Sequence, residues 1–188
     1  MKYLQHELQR IYHKVSTKHV AIFAIVFVLF TAIALPYVSA LTTRVIGVAE
    51  SPDTSFAFSA SYIMGIVESY GTDGRLFYVL MRWTFDVVWP LIYTLFLGSS
   101  IAYFARRSGF RFGYKVLYIV LLAVFFDVFE NINATIIMLL FPTEAIFFVY
   151  LLMIASLLKW IFIGISFTFV ILLLIRFIVF SYRKNLEK

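Results

Sequence analysis

Four long apolar segments constrain the fold of this chain more than any other feature of its sequence. They cover residues 20–41, 75–105, 116–141 and 145–175, and about 20 predominantly apolar residues are enough for a helix to cross the hydrocarbon core of a bilayer. A segment within a bilayer has to satisfy its own backbone polar groups, which favours helices. The sequence therefore predicts an all-α, polytopic integral membrane protein, with residues 1–188 forming a single four-transmembrane-helix bundle.

The composition excludes several classes of function. The chain is 63% hydrophobic and only 14% charged, which is not the composition of a soluble domain. It has no cysteine, so thiol nucleophiles and thiolate metal sites are excluded. Its three histidines, His6, His13 and His19, all precede the first apolar segment. We therefore expect no metal site in the membrane, and no nucleotide fingerprint indicates a cofactor.

The distribution of basic residues predicts the orientation of the spans. Twelve of the sixteen Lys and Arg residues lie in the N-terminal tail, in the 106–115 loop and in the C-terminal tail. The opposite side carries only Arg44 and Arg75. The positive-inside rule then places both termini in the cytoplasm. The net charge of +6 is explained by this topology, and we expect no nucleic acid partner.

Three other segments of the sequence also lead to predictions. Residues 1–19 have apolar residues at helical spacing among basic ones, which predicts an amphipathic helix in the cytoplasmic tail. The external loop, 42–74, contains an apolar face over 62–70 that predicts an interfacial helix between the first two spans. This helix either covers the outer mouth of the bundle or simply packs on the bilayer surface. Residues 36–40 resemble a signal-peptidase site, but the long apolar run favours retention of the first span.

Charged and amide side chains interrupt three of the apolar segments. Such groups are expensive within a bilayer and usually mark a site or a buried ion pair. Asp127, Glu130 and Asn131 fall on one helical face of the third span. In the second span, Pro90 cannot donate a hydrogen bond to the carbonyl of Asp86, so a kink is predicted there.

Counting the helical rise from the outer ends of the spans assigns partners to these charges. Arg82 and Asp86 are four residues apart and can pair within one helix. Asp127 and Lys159 both lie ~22 Å from the outer ends of their helices, so we expect them to pair between helices. Glu130 is then left without a cation. It is the candidate catalytic acid, with Asp86 as its paired base and Asp127 as the third candidate catalytic residue.

The remaining polar side chains complete the predicted site. Tyr78 and Tyr93 lie along the same stripe of the second span as Arg82, and with Asn131 and Lys159 they are the candidate ligand-binding residues. We expect a buried charged pocket in the outer half of the bilayer that binds a membrane lipid or other hydrophobic small molecule, with acid–base chemistry as an extension. Two alternatives stay open. One is a proton- or ion-coupled transporter acting as a homo-oligomer, and the other is a non-catalytic scaffold or subunit of a membrane complex, in which buried polar contacts only fix helix register.

Overall fold

The computed structural model describes residues 2–55 and 59–186, and the regular structure in these ranges is helical. Residue 1 and residues 187–188 of the predicted tails, and residues 56–58 of the predicted loop, lie outside the described residues. The helices in chain order are α1 (Lys2–Lys14), α2 (Thr17–Leu29), α3 (Leu35–Ile46), α4 (Ala60–Ser69), α5 (Gly71–Thr84), α6 (Val88–Arg107), α7 (Gly113–Leu140) and α8 (Ile146–Leu186).

Four stretches of helix are long and apolar enough to cross a membrane. They are Thr17–Ile46, Gly71–Arg107, Gly113–Leu140 and Ile146–Arg183, so the all-helical class and the number of candidate spans are confirmed. Most of their ends extend a few residues beyond the predicted ones, because a helix continues past the apolar residues that identify it. The 41 residues of α8 correspond to ~60 Å of helix, about twice the thickness of a hydrocarbon core.

The first candidate span is interrupted next to a proline. A π-helical turn, Phe30–Ala34, joins α2 to α3, and the amide of Leu35 donates to the carbonyl of Phe30. Pro36 follows directly and has no amide hydrogen to continue the α-helical ladder. π-helical turns are rare and are frequent at functional sites.

The second candidate span is interrupted as well. Helix α5 ends at Thr84 and α6 begins at Val88, so Asp86 lies in the turn between them. The amide of Asp86 donates to the carbonyl of Met81 at 3.0 Å. Pro90 stands in the first turn of α6 and cannot donate to the carbonyl of Asp86. At the position of the predicted kink, the regular α-helix is replaced by a three-residue turn, 85–87, within the helical stretch Gly71–Arg107.

The contacts divide the described chain into two compact units. The first unit comprises the described parts of residues 1–28, 91–123 and 161–188. In it, Arg106 Nη1 donates to the carbonyl of Tyr12 at 2.8 Å, at the last turn of α1, where carbonyl groups lack helical partners. Gly113 approaches Ala105 so closely that an added Cβ would lie 2.4 Å from the Ala105 Cβ. The end of α6 thus contacts α1 through Arg106 and the start of α7 through Ala105.

The second unit comprises the described parts of residues 29–90 and 124–160. Its core includes Ile63, Ile66 and Val67 from α4. The apolar face predicted over residues 62–70 is therefore buried against protein, apart from Tyr62, which is 45% exposed. Whether α4 also lies at a bilayer interface stays a prediction.

Candidate functional site

Arg82 is the centre of a polar cluster in the second unit. Its Nη1 donates to Asp86 Oδ2 at 2.8 Å, to Glu130 Oε1 at 3.1 Å and to Asn131 Oδ1 at 3.0 Å. The Arg82 side chain is only 5% exposed. The predicted pair between Arg82 and Asp86 is confirmed.

Asp53 completes the cluster and was not predicted to belong to it. Its carboxylate forms an ion pair with Arg82 Nη2 and accepts from the hydroxyl of Tyr78 at 2.9 Å. Its backbone carbonyl accepts from Ser156 Oγ at 2.5 Å. Burial raises the pKa of Asp53, but the positive charges of Arg82 and Lys159 outweigh burial and hold that pKa well below its usual range. Asp53 is therefore ionised at neutral pH.

No periodicity in the sequence identifies Asp53, because it lies in a turn and follows a proline. Residues 51–55 form a short turn in which Thr54 and Ser55 donate to the carbonyl of Ser51. An acid in a polar loop normally points to water. The ion pair between Asp53 and Arg82 depends on how this turn packs against α5.

Lys159 supplies the second positive charge of the cluster. Its Nζ lies 2.7 Å from Glu130 Oε1, so the prediction that Glu130 lacks a cation is wrong. Glu130 contacts both Lys159 and Arg82. Asp127 is fully buried and interacts electrostatically with the same ammonium group, so Lys159 serves two carboxylates rather than one. The helical rise did not predict the contact between Lys159 and Glu130, because a lysine side chain reaches about as far as one helical turn, ~5.4 Å.

The charges of this cluster do not balance. Among the described residues, Arg82 and Lys159 face four acids, Asp53, Asp86, Asp127 and Glu130, which leaves a formal charge of −2. Uncompensated charge in a low-dielectric site is costly. Glu130 Oε2 is buried and accepts no hydrogen bond from the described residues.

A cavity of about 230 Å³ opens beside Arg82 within the second unit. Its polar wall contains Asp53, Tyr78, Arg82 and Asp86. The full lining is Leu35, Val38, Ser39, Thr42, Thr43, Val48, Ala49, Glu50, Ser51, Asp53, Thr54, Tyr70, Tyr78, Met81, Arg82, Phe85 and Asp86. The cavity is thus enclosed by α3, the segment after it and α5.

The candidate site residues differ in whether and how they contact this cavity. Tyr78, Arg82 and Asp86 line it directly, whereas Asn131, Glu130 and Lys159 join it through Arg82 or Glu130. Asp127 is joined electrostatically. Tyr93 belongs to the first unit, where its side chain is completely buried.

The segment that follows α3 and lines the cavity, residues 47–54, is held by hydrogen bonds from Tyr62 and Tyr70. Gly47 ends α3 with a φ of 81°, a left-handed conformation that glycine adopts readily, and this turns the chain back over α5. Tyr70 donates its hydroxyl to the carbonyl of Glu50 at 2.6 Å, and Tyr62 donates to Glu50 Oε2 at 2.9 Å. Burial raises the pKa of Tyr70 to about 12, so this hydroxyl stays a donor at neutral pH.

The geometry determines which acid could act on a bound molecule. Asp86 lines the cavity and its side chain is 27% exposed, whereas Glu130 is completely buried. A general acid or base has to reach the proton that it transfers. The described residues contain no group of three or more His, Asp or Glu side chains arranged to hold a metal ion.

Comparison with known proteins found no matching family model, no similar curated protein and no similar solved structure.

Proposed function

We propose that this chain is an integral membrane protein that binds the polar end of an amphiphile, such as a membrane lipid, in the cavity beside Arg82. The single observation that carries the proposal is the cavity itself. Its lining combines the polar side chains of Arg82, Asp86 and Tyr78 with apolar side chains such as those of Leu35 and Val38. Binding sites for small molecules combine an apolar lining with a few polar groups that fix the orientation of the ligand.

The size of the cavity favours one end of a larger molecule. Its 230 Å³ is below the ~300–1,000 Å³ typical of sites that enclose a drug-sized ligand. A polar head group fits this volume, and an attached chain would extend along α3. Helix α3 buries only Ile46, and Tyr37 and Leu41 on it are exposed. An amphiphile could therefore reach the cavity from the side, out of the surrounding lipid.

The proposal places the four candidate spans in a bilayer as a four-helix bundle with both termini in the cytoplasm. The sequence pattern of basic residues supports this orientation. The segment 47–54 and α4 then lie on the external side, with α4 at the interface, and the cavity lies in the outer half of the membrane. A cavity in the outer half of the membrane is accessible to lipids, so a membrane lipid is the expected ligand.

Acid–base chemistry at this site would use Asp86 as the group in reach of the ligand. Glu130 and Asp127 would act through Arg82 and Lys159, because Glu130 contacts both cations and Asp127 interacts with Lys159. Glu130, Asp86 and Asp127 thus remain the candidate catalytic residues, with Asp86 in the leading role. Whether a reaction follows binding is a separate question from binding itself.

Coupled transport is a second candidate function, favoured by the break at Asp86. Interrupted membrane helices commonly form the sites at which transporters bind substrates and coupling ions. Here both interrupted spans, at Phe30–Ala34 and at residues 85–87, border the cavity-lining helices α3 and α5. Transport predicts flux into vesicles that depends on pH, whereas a binding protein or a scaffold predicts none.

A cavity-filling substitution tests the binding proposal. Ser39 lines the cavity and is exposed on α3, and it takes no part in the ion pairs of Arg82. We expect Ser39→Trp to fill the cavity and to remove the co-purifying amphiphile, because the indole occupies the space of the head group. The measurement is mass spectrometry of lipids extracted from protein purified in a maltoside detergent.

The neighbouring residue provides a matched control. Ala40 is also small and exposed on α3 but does not line the cavity. Ala40→Trp should retain the amphiphile at the wild-type ratio. Equal amounts of the same molecule on the wild type and on Ser39→Trp would contradict the proposal.

A further inference from the structure

We infer that the cavity beside Arg82 selects an amphiphile whose polar end is a cationic amine or ammonium group. This inference rests on the proposed binding function and adds the chemical class of the ligand. Two independent observations lead to it. One is the charge on the cavity wall, and the other is the hydrogen bonding of Arg82.

The cavity wall carries an excess of negative charge. Glu50, Asp53 and Asp86 line it, and Arg82 is the only basic side chain among the lining residues. Behind the wall, Glu130 is paired with Lys159, so this pair supplies no net positive charge to the cavity. A cation that enters the cavity neutralises negative charge that the described basic side chains leave uncompensated.

Arg82 has no terminal N–H group to offer an anion. Each terminal nitrogen of a guanidinium carries two hydrogens. Nη1 already faces Asp86, Glu130 and Asn131, and Nη2 faces Asp53 and Tyr78. A phosphate or carboxylate ligand would have to displace one of these acceptors. The basic residue that would otherwise mark an anion site is therefore already committed.

Asp86 is the carboxylate best placed to meet the ligand. Asp53 is 10% exposed at its side chain and is held by Arg82, Tyr78 and Ser51. Asp86 is 27% exposed and lies in the helix break, where its backbone is not part of a regular helix. A carboxylate that keeps accessible surface at a cavity can pair with an incoming ammonium group.

The apolar lining indicates that the amine is attached to a hydrocarbon. Leu35 and Val38 of α3, Met81 of α5 and Phe85 of the following turn line the same cavity as the acidic groups. A free, strongly hydrated amine gains nothing from these side chains, whereas an alkyl chain removes their surface from water or replaces lipid against them. A free amine without a hydrocarbon chain has the same ammonium group and is the alternative ligand. Probes that differ in chain length distinguish a free amine from an amphiphile.

A series of probes with one chain length tests the inference. Dodecylamine, dodecanol and dodecanoate present a cation, a neutral hydroxyl and an anion on the same hydrocarbon. We expect dodecylamine to bind the purified protein at least tenfold more tightly than the other two at pH 7, measured by calorimetry in a maltoside detergent. Ethanolamine without a chain should bind far more weakly, and equal affinity would assign the site to free amines rather than lipids.

Two variants connect the preference to Asp86. Asp86→Asn should reduce the advantage of dodecylamine over dodecanol to within about threefold, because one ion pair is lost while shape is kept. Asp73→Asn changes an exposed aspartate of the preceding helix, α5, that does not line the cavity, and it should leave the preference unchanged. A preference that survives in Asp86→Asn would assign it to a different site and overturn the inference.

The outcomes separate this inference from the binding proposal. If dodecanol or dodecanoate binds the wild type as tightly as dodecylamine and Ser39→Trp abolishes that binding, the amine inference fails and the cavity function stands. If no probe binds the wild type better than it binds Ser39→Trp, the binding proposal itself fails.

Discussion

At the scale of single residues, one guanidinium organises the site. Arg82 joins the segment before α4 through Asp53, the helix break through Asp86, and α7 through Glu130 and Asn131. Only arginine offers several N–H donors in a planar fork, so lysine could not make the same set of contacts. Lys159 has a narrower role, because its ammonium is a compact charge that neutralises Glu130 from α8.

A double-mutant cycle tests the contact between Lys159 and Glu130. Lys159→Met should lower thermal stability, because it leaves a fully buried carboxylate with one cation fewer. Adding Glu130→Gln should recover part of the loss, with a coupling free energy of about 1–3 kcal/mol. Combining Lys159→Met with Asp73→Asn, which is remote from the cluster and exposed, should give additive losses. Additivity in the Glu130 pair as well would mean that the two side chains do not meet.

At the scale of elements, the site depends on segments that depart from regular helix. The cavity is lined by α3, which follows a π-helical turn, and by α5, which ends in a break. Between them the segment 47–54 is tied down by Asp53 rather than by regular structure. These irregular elements are the ones expected to open locally at low free-energy cost.

Removing the charge of Asp53 should release the segment 47–54. Asp53→Asn loses the ion pair with Arg82, at a cost of about 1–3 kcal/mol for a charged hydrogen bond. We expect faster hydrogen exchange in residues 47–54 by mass spectrometry, with little change in α7. Thr54→Ala, which alters an exposed residue of the same segment, should exchange like the wild type.

The pH dependence of this difference follows from the depressed pKa of Asp53. A carboxylate whose folded pKa lies below its unfolded value of ~3.9 stabilises the folded state fully above that value and loses this contribution only as the pH falls through the folded pKa. The difference in exchange between the wild type and Asp53→Asn should therefore be constant from pH 7 to about pH 5. A difference that disappeared in that range would show that Asp53 is not held as an ion pair.

At the scale of the whole molecule, charge is sorted along the chain. Twelve basic residues lie in the two tails and the 106–115 loop, whereas Asp53 lies in the 42–74 loop and Asp86, Asp127 and Glu130 lie inside the second and third candidate spans. Sorting of this kind is what orients a membrane protein during insertion.

Topology reporters test this orientation directly. A reporter fused to the C-terminus and one inserted at Arg111 should both read as cytoplasmic, and one inserted at Asp73 should read as external. The physical reason is the positive-inside bias of the short loops. A cytoplasmic signal at Asp73 would overturn the proposed number of membrane crossings and the external position of the cavity.

The apolar periodicity of the sequence was sufficient to determine the helices and part of the candidate site. Four long apolar segments predict four candidate spans because a segment in a bilayer has to satisfy its own backbone. Helical spacing within single segments also predicted the Arg82–Asp86 pair and the break caused by Pro90, since both depend on residues at most four positions apart.

Only the tertiary structure decided how the charges are shared. The position of Asp53 depends on how a turn of the loop, more than twenty residues from Arg82 in the sequence, folds back over α5, and no local rule specifies that. The ion pair between Lys159 and Glu130 depends on the rotation of α8 about its axis and on the reach of the flexible lysine side chain. Depth along a helix follows from a fixed rise per residue, whereas partners between helices follow from packing, and packing is a property of the folded chain.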